Sequence, residues 1–147
     1  YLKQPSSIDF FEYNNLQPYI IMSINFVLKK IFTKSPKIFL YHNQNVIGHS
    51  TFSIVDMKTA CINNLFIEPE FRKQNYGSKL LQHTENILKT YYYKEKCTLL
   101  VHELPCDNLQ YFYKSNGYSE QRNRTPRYDI YDDGSNIFTL IPMHKRL

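Results

Sequence analysis

The chain has 147 residues, of which 42% are hydrophobic and 16% aromatic, so it is long enough to bury a core and is expected to form one domain, residues 1–147. Its formal net charge of +5 favours anionic partners, yet no stretch has the dense lysine and arginine clustering of a nucleic-acid-binding surface. No apolar run approaches membrane-spanning length and no signal-peptide pattern opens the sequence, so no membrane partner is expected.

Three cysteines, Cys61, Cys97 and Cys106, are an odd number at irregular spacing, which argues against a disulfide framework. We therefore expect a reducing, intracellular compartment, the cytoplasm. The spacing of Cys97, His102 and Cys106 is wrong for a tetrahedral zinc site, and no metal is expected.

The first part of the chain predicts a strand, a helix and a hairpin. Residues 7–13 have strand composition. Residues 16–32 carry apolar side chains at three-to-four spacing, which predicts a helix, and Pro18 suits its first turn. Residues 37–42 and 46–55 are predicted to pair as a hairpin around Asn43, Gln44 and Asn45.

The second part predicts strands and helices in alternation. Strands are expected at residues 60–67, 97–103, 118–130 and 135–143, and helices at residues 78–92 and 107–115. This order indicates an α/β or α+β fold, a sheet with helices packed on it.

The turn that leads into the helix at residues 78–92 has the chemistry of a phosphate-binding site. It follows a buried strand and is basic, with Arg72, Lys73 and Lys79. The first N–H groups of a helix have no acceptor within the helix, and the helix dipole adds partial positive charge there. A strand, a short basic turn and a helix start therefore favour an anionic ligand.

Two motifs in this order resemble the GCN5-related N-acetyltransferase superfamily. Its signature is Arg or Gln, two residues, Gly, one residue, then Gly or Ala; here it begins at Arg72, with Asn75 at the first glycine position and Gly77 at the second. If the first glycine is needed for a positive φ, Asn is the least costly replacement. The second motif is Tyr113, three residues, Gly117 and an aromatic residue. The resemblance runs from about residue 37 to the C-terminus.

The resemblance implies a central mixed, mostly antiparallel sheet with helices on both faces, whose strands splay at the cofactor site. It implies acetyl-CoA as co-substrate, with the phosphates on the basic turn and the pantetheine arm on the end of the preceding strand. The cofactor-binding residues implied are Leu65, Phe66, Ile67, Arg72, Lys73, Gln74, Asn75, Tyr76, Gly77 and Ser78. Asn108 resembles an asparagine that often contacts the cofactor, and a simple helix-capping role is the alternative.

The resemblance also assigns catalytic roles. Tyr113 stands where family members carry a tyrosine that protonates the departing thiolate, and an ordinary phenol pKa near 10 suits that task. In the strand that carries the base of histone-acetylating members, the matching residue is Cys61, which is not a base at neutral pH unless its pKa is depressed. Glu103 in the next strand is the favoured base and His102 the second candidate. Otherwise water relays the proton, or the amine arrives neutral.

The acceptor amine stays open. The family builds its acceptor pocket from the first helix region and the loop between the last two strands, here residues 128–134, which are acidic and aromatic. A protein N-terminus or lysine, a polyamine and an amino sugar all fit. The alternative functions are an acyl-CoA-binding module without chemistry and, third, a basic nucleic-acid-binding domain. A monomer or a homodimer is expected.

Overall fold

A computed structural model of the chain describes residues 24–29, 35–102, 108–121, 127–130 and 137–147. The strands are β1 (Ile24–Lys29), β2 (Lys37–His42), β3 (Asn45–Ile54), β4 (Thr59–Ile67), β5 (Lys96–His102), β6 (Ser119–Glu120), β7 (Arg127–Ile130) and β8 (Ile137–Arg146). A 3-10 helix spans Pro69–Phe71, and two α-helices are α1 (Tyr76–Thr90) and α2 (Leu109–Ser115). The predicted strand at residues 7–13 lies outside the described residues.

All eight strands form one mixed sheet, in the order β1-β2-β3-β4-β5-β8-β6, with β7 also paired to β8. Among the described strands, only β4 and β5 run parallel to each other, and α1 connects them, as a parallel crossover requires. The predicted fold class, a mixed and mostly antiparallel sheet with helices, is confirmed. The strand predicted at residues 118–130 is described as two pieces, β6 and β7, both paired to β8.

The helix predicted at residues 16–32 is wrong for residues 24–29, which form β1. This strand pairs with β2 along its whole length, from Ile24 opposite His42 to Lys29 opposite Lys37. Ile24, Phe26 and Leu28 pack against the core at strand spacing. The same apolar residues satisfy a helical spacing, and pairing with β2 decides between the two conformations. The β2–β3 hairpin is confirmed, and Asn43 and Gln44 have the positive φ angles, 47° and 69°, of a tight hairpin turn.

The core lies between the sheet and α1. The predicted apolar face of α1 is buried and includes Leu80, Leu81 and Leu88, all 0% exposed. Thr84 on the same face shares a buried hydrogen bond of 2.7 Å with Ser50 of β3. The two described helices, α1 and α2, contact each other, so both lie on this face of the sheet. Most of residues 16–32, the other predicted helix, lies outside the described residues. Among the described helices, none is long and apolar enough to cross a membrane.

His83 on α1 gives the core a predictable response to acid. Its ring stacks on Phe26 of β1 with centroids 4.1 Å apart, and burial lowers its pKa from 6.5 to about 4. The unfolded chain therefore binds a proton at this position below pH 6.5 while the folded chain does not. The stabilisation is complete above pH 6.5 and is lost as the pH falls towards 4.

We expect His83→Leu to lose less stability than the wild type between pH 7 and pH 4. The difference should be about 2 kcal/mol, since one pKa unit corresponds to about 1.4 kcal/mol and the ring is partly exposed. Urea unfolding at the two pH values measures it. Equal losses of unfolding free energy in the two proteins would show that the His83 pKa is not lowered in the folded state.

Candidate functional site

The parallel strands β4 and β5 separate after four paired positions. Their register runs from Thr59 opposite Lys96 to Ile62 opposite Leu99 and then stops, although both strands continue. The pairing of β4 with β3 persists to Ile67. The backbone groups of residues 63–67 that point towards β5 therefore have no strand partner among the described residues. This is the splay that the family resemblance implies.

A β-bulge lies where the splay begins. Thr51 of β3 stands opposite Asn64, but the next residue, Phe52, stands opposite Ile62, so Asn63 is an extra residue on β4. The Ser53 hydroxyl donates to Asn63 Oδ1 at 3.2 Å. Such bulges bend a strand away from its regular course and commonly lie beside functional sites. The bulge gives a physical reason for β4 leaving β5.

Gly48 of β3 allows the end of β4 to approach closely, and the sequence analysis did not identify this residue. A Cβ atom at Gly48 would lie 2.6 Å from the carbonyl oxygen of Phe66 and 2.6 Å from Ile67 Cδ1, closer than real atoms approach. The bare backbone therefore lets β3 pair with the residues predicted to contact the pantetheine arm. The available signal was a glycine inside a strand pattern, which marks a close backbone approach.

The turn between the 3-10 helix and α1 has two residues in the left-handed region. Lys73 has φ 59° and Asn75 has φ 66°, and Asn75 is the residue before the first turn of α1. The signature glycine position is thus used for positive φ, which Asn adopts at lower cost than other side chains. Such turns direct successive N–H groups into a concavity that accepts anions.

Six consecutive backbone N–H groups, those of residues 73–78, donate to no described residue. The turn bonds before them end with the Arg72 N–H, and the first α1 bond is from the Lys79 N–H to the Asn75 carbonyl. No side chain caps the helix start. Because the first N–H groups of a helix need an acceptor from elsewhere, this run is ready to bind an oxyanion.

The charges around these N–H groups are positive and unpaired. Arg72, Lys73 and Lys79 are exposed, and none forms an ion pair with a described carboxylate. Arg72 has a structural contact as well, because its Nε donates to the Ile67 carbonyl at 2.9 Å and its guanidinium lies 5.6 Å from the Phe66 ring centroid. Arg72 therefore fixes the strand end to the turn and leaves its outer nitrogens for a ligand.

The other predicted cofactor-binding residues differ in where their side chains lie. The Gln74 side chain donates to the Glu70 carbonyl at 3.1 Å and braces the turn. The Tyr76 side chain is buried, 7% exposed, beside His42 and Phe71, so only its backbone N–H can reach a ligand. Asn108 is exposed at the start of α2 and makes no side-chain cap.

Helix α2 is docked on the first turn of α1 at two points. A Cβ at Gly77 would lie 3.4 Å from the Phe112 ring, so the glycine allows the two helices to meet. Asn116 Nδ2 donates to Ser78 Oγ at 3.1 Å. Tyr113 lies between Phe112 and Asn116 on α2. The turn at residues 72–78, which is predicted to bind phosphate (the phosphate turn), and the predicted catalytic tyrosine therefore belong to one packed unit.

Tyr113 is largely buried, and burial raises its pKa to about 12. Its ring packs edge-on against Phe112 and Tyr118, with centroids 5.0 and 5.7 Å away. Its hydroxyl forms no hydrogen bond with a described residue. A phenol in this state stays protonated at neutral pH and is able to donate to a ligand, but it is a weaker acid than the ordinary phenol, with a pKa near 10, that the sequence analysis expects. Burial also raises the pKa of Cys97 to about 11, so this thiol is not a nucleophile.

The structure leaves the general base as a prediction. Cys61 on β4 is partly buried and its Sγ faces the Ile62 carbonyl at 3.7 Å. Glu103 and Cys106 lie outside the described residues, as do residues 131–134 of the predicted acceptor loop, and for His102 only the backbone is described. No group of three or more potential metal ligands occurs within the described ranges.

Comparisons of the chain with known proteins agree with the geometry of this site. Residues 34–120, more than half of the chain, match the family model described as an acetyltransferase (GNAT) domain. A search of curated proteins finds no match.

Solved structures share the fold at low sequence identity. A GNAT family acetyltransferase from Elizabethkingia anophelis with acetyl-CoA bound superposes with a TM-score of 0.68 at 15% identity, covering 84% of this chain and 98% of the other. A Bacillus subtilis acetyltransferase in complex with CoA has a TM-score of 0.68 at 10% identity, with 84% and 99% covered. The ribosomal-protein-S18-alanine N-acetyltransferase from Escherichia coli has a TM-score of 0.64 at 20% identity, with 77% and 69% covered.

Proposed function

Because this chain belongs to the acetyltransferase (GNAT) domain family, we propose that it transfers an acetyl group from acetyl-CoA to a primary amine within a ternary complex. The observation that carries the proposal is the run of six N–H groups without described acceptors at residues 73–78, at the end of a strand that leaves its parallel neighbour. The N–H groups can bind phosphate, and the unpaired backbone groups of β4 can bind amides. Together they suit a ligand that joins a pyrophosphate to an amide-containing arm.

Binding of acetyl-CoA follows from this arrangement. The N–H groups of residues 73–78 hold the pyrophosphate, and Arg72, Lys73 and Lys79 add charge. The unpaired β4 edge at residues 63–67 forms hydrogen bonds with the pantetheine arm, as a neighbouring strand would. The thioester then lies in the gap between β4 and β5. Structures of family relatives with acetyl-CoA or CoA bound support this co-substrate.

The transfer needs one bond made and one broken. The amine nitrogen attacks the thioester carbonyl carbon, the C–S bond breaks, and the thiolate takes the proton of the Tyr113 hydroxyl. The extra proton of the amine goes to a base or to water. Glu103 and His102 remain the proposed bases. Cys61 on β4 is not a general base. Two other ways for the amine to lose its proton therefore remain: water relays the proton, or the amine binds in its neutral form. The acceptor is a protein amine, a polyamine or an amino sugar.

Calorimetric titration with acetyl-CoA, coenzyme A and pantetheine tests the binding step. We expect pantetheine, which lacks the phosphates together with the adenosine, to bind at least about tenfold more weakly than coenzyme A, because a hydrogen bond to a charged group contributes about 1.5–3 kcal/mol. Equal affinity for coenzyme A and pantetheine would contradict the assignment of residues 73–78. A screen of amines, in which release of coenzyme A is measured, then tests turnover. Tight binding with no turnover of any amine would favour the alternative, an acyl-CoA-binding module.

A further inference from the structure

We infer that Asn116 is a positioning residue that turns the Ser78 hydroxyl into a hydrogen-bond donor for the cofactor phosphate; the inference rests on the proposed function. Asn116 is the residue after α2, and its side-chain NH₂ group makes two contacts. Nδ2 donates to the Phe112 carbonyl at 2.8 Å and to Ser78 Oγ at 3.1 Å. Ser78 lies in the first turn of α1, within the run of free N–H groups.

The direction of the second hydrogen bond follows from the first. The Phe112 carbonyl can only accept, so the nitrogen of the Asn116 amide must face it. The remaining proton of the same nitrogen then points at Ser78 Oγ, which has to accept. The hydroxyl proton of Ser78 is left to donate elsewhere, and no described residue accepts it. Its available direction is the anion held by the N–H groups of residues 73–78.

Ser115, the residue before Asn116, is a matched control for a simple capping role of Asn116. The Ser115 hydroxyl donates to the same Phe112 carbonyl at 2.8 Å but forms no hydrogen bond with the described residues of α1. Both side chains therefore cap α2, and only Asn116 reaches Ser78. Variants of the two residues separate loss of the cap from loss of the contact with the phosphate turn.

The experiment compares Asn116→Ala, Ser115→Ala, Ser78→Ala and the double variant Ser78→Ala/Asn116→Ala in full-length chain, with coenzyme A and pantetheine as ligands. We expect Asn116→Ala and Ser78→Ala each to raise the Kd for coenzyme A by about tenfold, the effect of one hydrogen bond to a charged group. Binding of pantetheine should not change. The double variant should be no weaker than Ser78→Ala, because both changes remove the same interaction. Ser115→Ala should bind like the wild type.

Asn116→Asp is the second test, since it preserves the size of the side chain. A carboxylate accepts from the Ser78 hydroxyl, withdraws that proton from the phosphate and adds negative charge, so its Kd should exceed that of Asn116→Ala. Wild-type affinity in Asn116→Ala, or additive effects in the double variant, would overturn the inference while the proposed function stands. A wild-type chain that binds no coenzyme A would overturn both.

Discussion

Replacing Tyr113 with Phe is expected to lower turnover by about 10²–10⁴-fold, the usual contribution of a positioned proton donor, and to leave the Kd for acetyl-CoA unchanged. The substitution removes only a hydroxyl, which makes no hydrogen bond with a described residue, so the fold should tolerate it. Because the Tyr113 pKa is raised to about 12, the proton stays in place throughout the neutral range. Steady-state rates with the best acceptor, together with calorimetry, measure the two quantities separately.

Tyr111→Phe is the matched control for this experiment. Tyr111 is on the same helix, two residues earlier, and is 71% exposed, so it should have no effect on turnover. If Tyr113→Phe kept wild-type turnover, Tyr113 would be a core residue of an aromatic cluster and the thiolate would take its proton from water. If both variants lost turnover equally, the loss would reflect a disturbed α2.

The phosphate turn shows what sequence alone can predict. The signals were local: a buried strand, basic residues, an Asn and a Gly at fixed spacing, then an amphipathic helix. Backbone conformation at such a turn depends on few neighbours, and the positive φ of Asn75 agrees with its place in the motif. The parallel pairing of β4 with β5, which the sequence analysis did not specify, agrees with the long crossover helix predicted between them.

Residues 24–29 show where sequence fails. Their apolar residues fit a helix at three-to-four spacing, and Ile24, Phe26 and Leu28 also alternate as a strand requires. Local propensity does not distinguish these patterns, and the decisive interaction is the ladder with β2, a contact between segments separated along the chain. Asn116 was missed for a similar reason, since only the docking of α2 on α1 brings it to Ser78.

The largest stability effect that we expect comes from a buried ion pair beside Tyr118, the residue that packs on Tyr113. Lys145 Nζ lies 2.7 Å from Glu85 Oε2, with the two side chains only 24% and 10% exposed. Lys145 also lies 5.6 Å from the Tyr118 ring centroid, and Tyr118 packs on Tyr113. The Tyr118 hydroxyl and Glu85 Oε1 are buried, and neither has a hydrogen-bond partner of good geometry among the described residues. Burial is the main cause that raises the Tyr118 pKa, and the nearby Glu85 raises it further.

We expect Lys145→Met to lower the free energy of unfolding by about 3 kcal/mol, because the substitution leaves the Glu85 carboxylate buried without its counter-ion. Lys114→Met is the control, since the Lys114–Glu120 pair has a similar distance, 2.9 Å, but side chains 49% and 47% exposed. That variant should lose less than about 1 kcal/mol. Guanidinium unfolding measures both changes.

Adding Glu85→Gln to Lys145→Met should recover part of the loss, since the cost arises from an unpaired charge rather than from a missing contact. Equal losses in Lys145→Met and Lys114→Met would mean that water reaches Glu85 and that this end of the sheet is open. Recovery in the double variant would instead show that the region under Tyr118 excludes water. Tyr113 packs on that region through Tyr118, and a dry support would keep the Tyr113 hydroxyl protonated until the thiolate takes its proton.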